Sequence, residues 1–509
     1  MKINLSIPPL STDPVEFVQV NPATLASDLA ALPRDDFLYS GHRILNDLKQ
    51  FNRASVDDEL RLKLLDLYRA SILNLAKGLR RSLGESSLPV SKKLLTKQNI
   101  TVELYQQLAN GYKRILMNQH LTESSDLSEN ILIVSSERAM FSLLEIITLS
   151  YLSYTFVPEN TWKEIHTIYL LAHEKGYNAI KIHDVADSSK SLKIIDIYLF
   201  ALLLALSEPY GLPNGSLYTL TPYFHLWISH LSLFDKNNLD ELRYTYRIDP
   251  DLDKPFLPFP EARPEGKLYV TTDSLVHQML GPNPPINISA AKDADMDINL
   301  FSRSFFPKLI ASWSNYPIRR FQRNSAKGEI HLITGYENVI DILKTGSAKL
   351  TDKDKKHFQQ WQIVNDSATG LGVEYSGHEV KSVRVGALVL YRTDEMKKKN
   401  EWSTGIIRRF IQAGRSHLSM GIQRLPPGAH TGKLSRLAED GKTNQPILMY
   451  AENSLLNSEA TLVTPPGTFS PAAEYIISLD NGMEYKVMAI KTVQINPILE
   501  QFTFEHMND

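Results

Sequence analysis

The stretch Val364-Asn365-Asp366-Ser367-Ala368-Thr369-Gly370-Leu371-Gly372-Val373, taken with the upstream cluster Arg319-Arg320-Phe321-Gln322-Arg323, decides how the rest of this chain is read. The first is a polar turn between two apolar runs. Asn365 offers an amide, Ser367 a hydroxyl, and Gly370 a backbone without a Cβ that a ligand can approach closely. The second places guanidinium groups at i, i+1 and i+4 in a loop entering the strand-like segment Gly328-Glu329-Ile330-His331-Leu332-Ile333. Guanidinium is planar, permanently charged and five-donor, so it can fork onto phosphate oxygens and also stack on a guanine or bond its N7/O6 edge. Together the two elements point to one anionic, purine-bearing ligand.

Alone, an RxxxR is an ordinary solvated turn and an NxSxxG an ordinary Asx-type turn. Here they occur in order, each beside a strand, within residues 315–436, which hold 21 Lys/Arg against 11 Asp/Glu. That conjunction favours anion binding. Arg319-x-x-x-Arg323 followed by Asn365-x-Ser367-x-x-Gly370 resembles the PilZ domain, the bacterial receptor for cyclic di-GMP, over about residues 315–430. The resemblance implies that Arg319, Arg320 and Arg323 wrap the phosphates and guanines of cyclic di-GMP. It also implies that Asn365, Asp366, Ser367 and Gly370 hold the other side of a base on a barrel surface. Roughly forty residues separate the motifs, including a helix-like piece, Asn338–Lys344, that departs from the compact family pattern. Arg384 and Arg392 are further candidates whose face alternation alone does not fix.

Composition bounds the alternatives. The 509 residues suffice for about three domains. The absence of cysteine excludes disulfide frameworks, thiolate metal sites and cysteine nucleophiles. A net charge of −2 conceals the basic excess of residues 315–436, which argues for a local anionic ligand and against a nucleic acid partner. The N-terminus, Met1–Pro9, has no apolar core of signal-peptide length, so the expected location is cytoplasmic. The longest apolar run, Ile194–Leu206, carries Asp196 and Tyr198 and is shorter than the ~20 residues of a membrane span. A buried helix is expected there, and no membrane span.

In order, the expected fold is α+β and multidomain. Residues 1–36, rich in Pro, Ser, Thr and Asp, read as an extended arm able to dock on the body. Residues 37–240 read as an all-α domain, with Ser55 and Asp58 where a capping box would start the helix through Leu60, Leu64, Leu67 and Ile72. Trp162–Gly176 looks like the first helix of a tetratricopeptide-type hairpin, but no period of about 34 residues follows, so a repeat array and an irregular antiparallel domain both stay open. Residues 241–297 form a small mixed segment and linker, with Thr272 and Asp273 placed to cap a short helix through Met279. Residues 298–440 hold a helix with Phe301, Phe305, Leu309 and Trp313 on one face, then a PilZ-like six-stranded β-barrel. Residues 441–509, with an Asn481-Gly482 hairpin, read as a second β-module, a candidate degenerate copy of the first.

No P-loop, GxSxG or HExxH is present, so no enzyme, cofactor or metal is expected. His166 and His173 stand seven apart and read as packing residues. The Asp249, Asp251 and Asp253 triplet lacks the glycine and distal glutamate of a calcium loop. The leading expectation is a cyclic di-GMP receptor whose helical half carries a protein partner. The alternative is a nucleotide-independent helical adaptor with a structural β-platform.

Overall fold

The computed structural model describes residues 5–11, 18–120, 126–183, 191–235, 243–258, 268–282, 298–314, 324–345, 358–377, 382–399, 401–414, 417–437, 444–452 and 459–507. Nine helices open the described chain: α1 (Pro22–Ala30), α2 (Phe37–Phe51), α3 (Asp58–Leu75), α4 (Leu79–Gly84), α5 (Lys92–His120), α6 (Asp126–Leu152), α7 (Thr161–Glu174), α8 (Ile194–Leu206) and α9 (Ser216–Trp227). They range from 6 to 29 residues, a spread that a 34-residue repeat does not produce, so the irregular reading fits. The long pair α5 and α6 packs along its length, with α2, α3, α7 and α8 against it. In α8 eleven residues are buried, all round the helix, and the apolar stretch Ile194–Gly211 is 72% buried. A helix apolar on every side belongs inside a core.

Local chemistry sets the helix ends. Asn21 caps α1 by accepting from the Ala23 and Thr24 amides, so the arm expected to be extended contains a nine-residue helix. The cap of α3 is Asp57, bonded to the Glu59 and Leu60 amides, and not the Ser55 and Asp58 pair. Ahead of α1, residues 5–11 dock as expected: Leu5 is buried, the Ser6 amide donates to Glu164, and Arg114 donates to the Pro8 carbonyl. Glu164 also accepts both 2.7 Å bonds from the fully buried Lys113, so the arm closes over a buried ion pair.

Between helices and barrels lies a four-stranded sheet of order β3-β6-β4-β5, built from β3 (Ser232–Phe234), β4 (Thr245–Ile248), β5 (Leu257–Pro258) and β6 (Leu268–Thr271); β1 (Ile182–His183) and β2 (Ser191–Leu192) form a separate two-stranded ladder. Asp253 accepts from the backbone amides of Asn160, Trp162 and Lys163, so the carboxylate that loosely suggested calcium caps α7 instead. Thr272 stands at the N-cap of α10 (Asp273–Leu280) but makes no capping bond. Its hydroxyl donates at 2.6 Å to the carbonyl of Trp313. Tyr246 donates to the same carbonyl and to that of Ser312, fixing the end of α11 (Ile298–Ser314). Trp313 and Leu309 are buried as expected, with Phe306 beside them; the side chains of Phe301 and Phe305 lie outside the described residues. Lys308 donates to the Gly211 carbonyl, and burial lowers its pKa to about 8.

Two closed barrels follow. The first runs β7-β8-β9-β12-β11-β10, from β7 (Asn324–Thr334), β8 (Gln359–Ser367), β9 (Gly370–Ser376), β10 (Leu388–Thr393), β11 (Ser403–Gln412) and β12 (His417–Arg424). The second runs β13-β14-β15-β18-β17-β16, from β13 (His430–Arg436), β14 (Gln445–Tyr450), β15 (Thr461–Thr464), β16 (Glu474–Leu479), β17 (Glu484–Ile495) and β18 (Glu500–His506). Counted from each barrel's first strand, the cyclic order is the same, so the C-terminal module repeats the topology of the first. It begins at β13, upstream of residue 441. The inserted helix, α12 (Tyr336–Thr345), sits between the barrels, where the Tyr336 hydroxyl reaches the Pro446 and Val463 carbonyls. Its Val339, Ile340 and Ile342 share an apolar cluster with Leu388, Leu448 and Leu499.

The helical domain and the first barrel are continuous. One apolar cluster runs from Leu5 through α8 to Ile422. Strand β11 is the seam: the Gln412 amide donates to the Tyr154 carbonyl at 2.7 Å, its side-chain oxygen accepts from Val90, and Phe410 meets the Tyr154 ring edge-on.

His166 lies in this core, its Nε2 facing the Lys254 carbonyl at 2.8 Å and its Nδ1 facing the Tyr198 hydroxyl at 2.7 Å. A carbonyl only accepts, so Nε2 carries the proton and Nδ1 accepts from tyrosine. Burial lowers the ring's pKa to about 4. The unfolded chain takes up this proton near pH 6.5 and the folded chain only near 4, so the contribution is full above about pH 6.5 and is lost as pH falls through that window, on the order of 3 kcal/mol. Urea unfolding at pH 7 and pH 4.5 is expected to give a shallower loss of stability in His166→Gln than in the wild type; equal losses would refute this assignment.

Candidate functional site

Strands β8 and β9 form a hairpin through Ala368 and Thr369, so the polar turn read from the sequence is a two-residue loop. Asn365, Asp366, Ser367 and Gly370 all lie on this hairpin. The Ser367 hydroxyl donates to the Gly370 carbonyl at 3.1 Å, closing the turn. A Cβ on Gly370 would lie 3.1 Å from the Ile422 carbonyl of β12, so packing of the neighbouring strand already favours glycine there. A Cβ on Gly372 would stand 2.5 Å from Asn365 Nδ2; the space it leaves is the space the asparagine occupies. Asn365 Oδ1 is buried with no hydrogen-bond partner among the described residues. An unfilled buried acceptor costs about 1–3 kcal/mol and favours the arrival of a donor.

This hairpin forms one side of a cleft of about 480 Å³ on the β8-β9-β12-β11 face of the barrel. Asn365, Ser367 and Gly370 line it, opposite Arg408 and Arg409 of β11 and Phe156 from the loop after α6. Three register shifts border it, between Ser325 and Gly328, between Ile363 and Asn365, and between Ile407 and Arg409. Each extra residue breaks strand alternation, which is how bulges re-aim side chains at sites. Val364 and Asn365 therefore both face the cleft, and so do Arg408 and Arg409.

The arginine pair was not singled out from the sequence. Alternation assigns one of two adjacent strand residues to each face, and nothing local announces the bulge at Arg408. Arg408 Nε donates to Gln423 at 2.6 Å and its terminal nitrogen reaches Gln494 of the second barrel. Burial lowers its pKa to about 10, which leaves it charged at neutral pH. Arg409 lies 5.7 Å from the ring centroid of Tyr210. Arg392, a candidate from the sequence, instead packs over Trp402 at 4.2 Å. Glu374 also lines the cleft, with its carboxylate 3.2 Å from His417.

Asp366 does not present a free carboxylate. It accepts from Arg424 at 2.6 Å, while the Arg424 amide donates to the Thr369 carbonyl, so the ion pair braces the hairpin loop from β12. Arg319, Arg320 and Arg323 lie outside the described residues. The chain on either side of them is placed: Ser314 ends the anchored α11, and Asn324, the residue after Arg323, pairs with Asp366, with Ser325 opposite Asn365. The residue that follows the cluster in sequence thus stands opposite the NxSxxG motif.

Residues 337–430 match the family described as "Cyclic-di-GMP receptor FimW, middle PilZ domain". That segment of the chain is a PilZ domain. The match to the PilZ domain contains Asn365, Ser367 and Gly370 and begins after the arginine cluster and β7. Residues 23–237 match "Cyclic-di-GMP receptor FimW, N-terminal domain", which places α1–α9 in the same family context. The chain is similar to the cyclic-di-GMP receptor FimW of Pseudomonas aeruginosa, with 24% identity over an alignment spanning 99% of this chain and 93% of that protein.

The second barrel gives an internal contrast to the PilZ barrel. A cleft on its topologically equivalent face is lined by Glu452, Glu459, Glu505 and His506. The charged residues of that lining are three glutamates, which disfavours a phosphate ligand. At the first cleft, the Arg424–Asp366 pair is about one-third to two-fifths exposed, so Coulomb attraction is largely screened. Arg424→Ala is expected to lower the unfolding free energy in urea by less than about 1 kcal/mol; a loss several times larger would mark the pair as a buried structural element.

Proposed function

We propose that this protein is a cytoplasmic, non-enzymatic receptor for cyclic di-GMP, binding the dinucleotide in the cleft of its first barrel. Asn365 and Ser367 offer an amide and a hydroxyl to a base edge, and Gly370 leaves its backbone open to the ligand. Arg319, Arg320 and Arg323 close over phosphates and guanines from the entry to β7. Arg408 and Arg409 add fixed positive charge from the opposite wall. Asp366 acts through Arg424, holding the loop in shape. The observation that carries this reading is the cleft that gathers Asn365, Ser367 and Gly370 on one wall and Arg408 and Arg409 on the other, with Asn365 Oδ1 unpartnered among the described residues. The likeness to a protein named as a cyclic-di-GMP receptor supports it.

A ligand shifts a conformational equilibrium only through differential contacts with its states. The route to the helical domain runs through both ends of the site. At one end, α11 hands the chain to the arginine cluster with its last carbonyls held by Tyr246 and Thr272. At the other, β11 carries Arg408 and Arg409 and, three residues on, the Gln412 clasp to Tyr154 and Val90. The helical domain is the surface that presents the signal to a protein partner.

Titration calorimetry with cyclic di-GMP tests the binding site. Arg323→Ala and Asn365→Ala are each expected to weaken binding tenfold or more, about 1.4 kcal/mol. Gly372→Ala, which pushes Asn365 aside, is expected to weaken it with little change in unfolding midpoint. Absence of heat with the wild type, or indifference to both alanine variants, would favour the nucleotide-independent adaptor.

A further inference from the structure

Phe156 is a large aromatic side chain, 57% exposed, at the wall of the cleft that Asn365, Ser367, Arg408 and Arg409 also line. It belongs to the helical domain, in the loop between α6 and α7, and not to the barrel. The loop that carries it is held in place. After α6 the chain turns through Tyr154 at φ 55, a left-handed conformation that costs a non-glycine residue roughly 1–3 kcal/mol. That conformation is over-determined by its neighbours. The Thr155 amide donates to the Ser150 carbonyl at 2.9 Å, and the Tyr154 carbonyl accepts from Gln412 of β11 at 2.7 Å. The Tyr154 hydroxyl donates to the Leu212 carbonyl at 2.7 Å, and the Tyr210 hydroxyl donates to the Thr155 carbonyl at 2.7 Å.

Each of these bonds fixes the backbone immediately before Phe156, and none covers its ring. A ring with few rotamers, on a fixed backbone, loses little entropy when a flat ligand stacks on it. Across the cleft stand the amide of Asn365 and the hydroxyl of Ser367, groups that bond the edge of a base and leave its face unpaired. Beside Phe156, Arg409 lies over Tyr210, the residue that holds the Thr155 carbonyl, so charge and ring share one support.

We propose that Phe156 is a stacking platform for a purine of the bound dinucleotide, so that the helical domain contributes directly to the binding site. The inference rests on the receptor reading above and deepens it. The helical domain then contacts the ligand itself, and a change in loop 154–156 passes to β11 through Gln412 and to the Pro209–Gly211 turn through Tyr210. An isolated barrel would lack one wall of its own site.

The test uses the full chain and cyclic di-GMP. Phe156→Ala is expected to weaken binding at least tenfold in calorimetry with an unchanged thermal midpoint, since stacking on an aromatic is worth roughly that factor or more per base. Phe156→Trp is expected to stay within about threefold of wild type. Its added indole emission, read against the wild type with its five native tryptophans, is expected to be quenched on titration. Wild-type affinity in Phe156→Ala, or Phe156→Trp emission that tracks the wild type while Asn365→Ala still loses binding, would overturn the platform and leave the receptor standing. No binding by the wild type would remove both.

Discussion

Strand β11 is the constraint on which the rest of this molecule depends. An antiparallel strand with one solvated face alternates buried and exposed residues. In β11 the residues Thr404 to Ile407 and Phe410 to Gln412 are buried, and only Arg408 and Arg409 break the run. Both of its faces are therefore covered. Ile407 and Phe410 join the core that continues into the helical domain, whereas Ile406 joins the cluster under α12 between the barrels. The helical domain, the first barrel and the second barrel all bear on these nine residues, and the two exceptions are the arginines that face the cleft.

That arrangement explains why the site is built where it is. A bulge at Arg408 costs one ladder position but turns two guanidinium groups to one side. A second bulge at Val364 does the same for Val364 and Asn365 across the cleft. The electrostatic consequence is a small volume in which positive charge is fixed by Gln423, Gln494 and Tyr210, and the Asn365 amide oxygen has no partner among the described residues. Groups held before a ligand arrives lose less freedom on binding than groups that must be gathered.

The two barrels share a strand order and differ in charge. Their interiors are separate apolar clusters, and the contacts between them include Tyr336, the Thr404–Tyr450 hydroxyl pair, Asn496 on the Gly386 carbonyl and Arg408 on Gln494. A repeated topology with carboxylates on the equivalent face supports a structural role for the second copy. It braces β11 through Gln494 and encloses α12, which explains how the insertion between the two motifs is accommodated without opening the first barrel.

Much of this was legible in the residues. The alternation of apolar and polar positions marked strands and helices, the length and apolarity of Ile194–Leu206 marked a core helix, and the Asn365, Ser367 and Gly370 stretch marked a polar turn between two strands. These are local signals, set by side chains within a few positions of one another. The caps of α3 and α10, the helix at Pro22–Ala30 and the start of the second barrel at His430 were misread because competing local signals of similar strength stood beside them, and long-range bonds such as Thr272 to Trp313 chose among them. What tertiary structure alone decided was the other wall of the cleft. Arg408, Arg409 and Phe156 reach it through a bulge and a strained turn held by Gln412, Tyr154 and Tyr210, contacts between residues up to some 260 positions apart. No periodicity in a single chain records a register shift or a distant hydrogen bond, since both are settled only when separately formed elements pack.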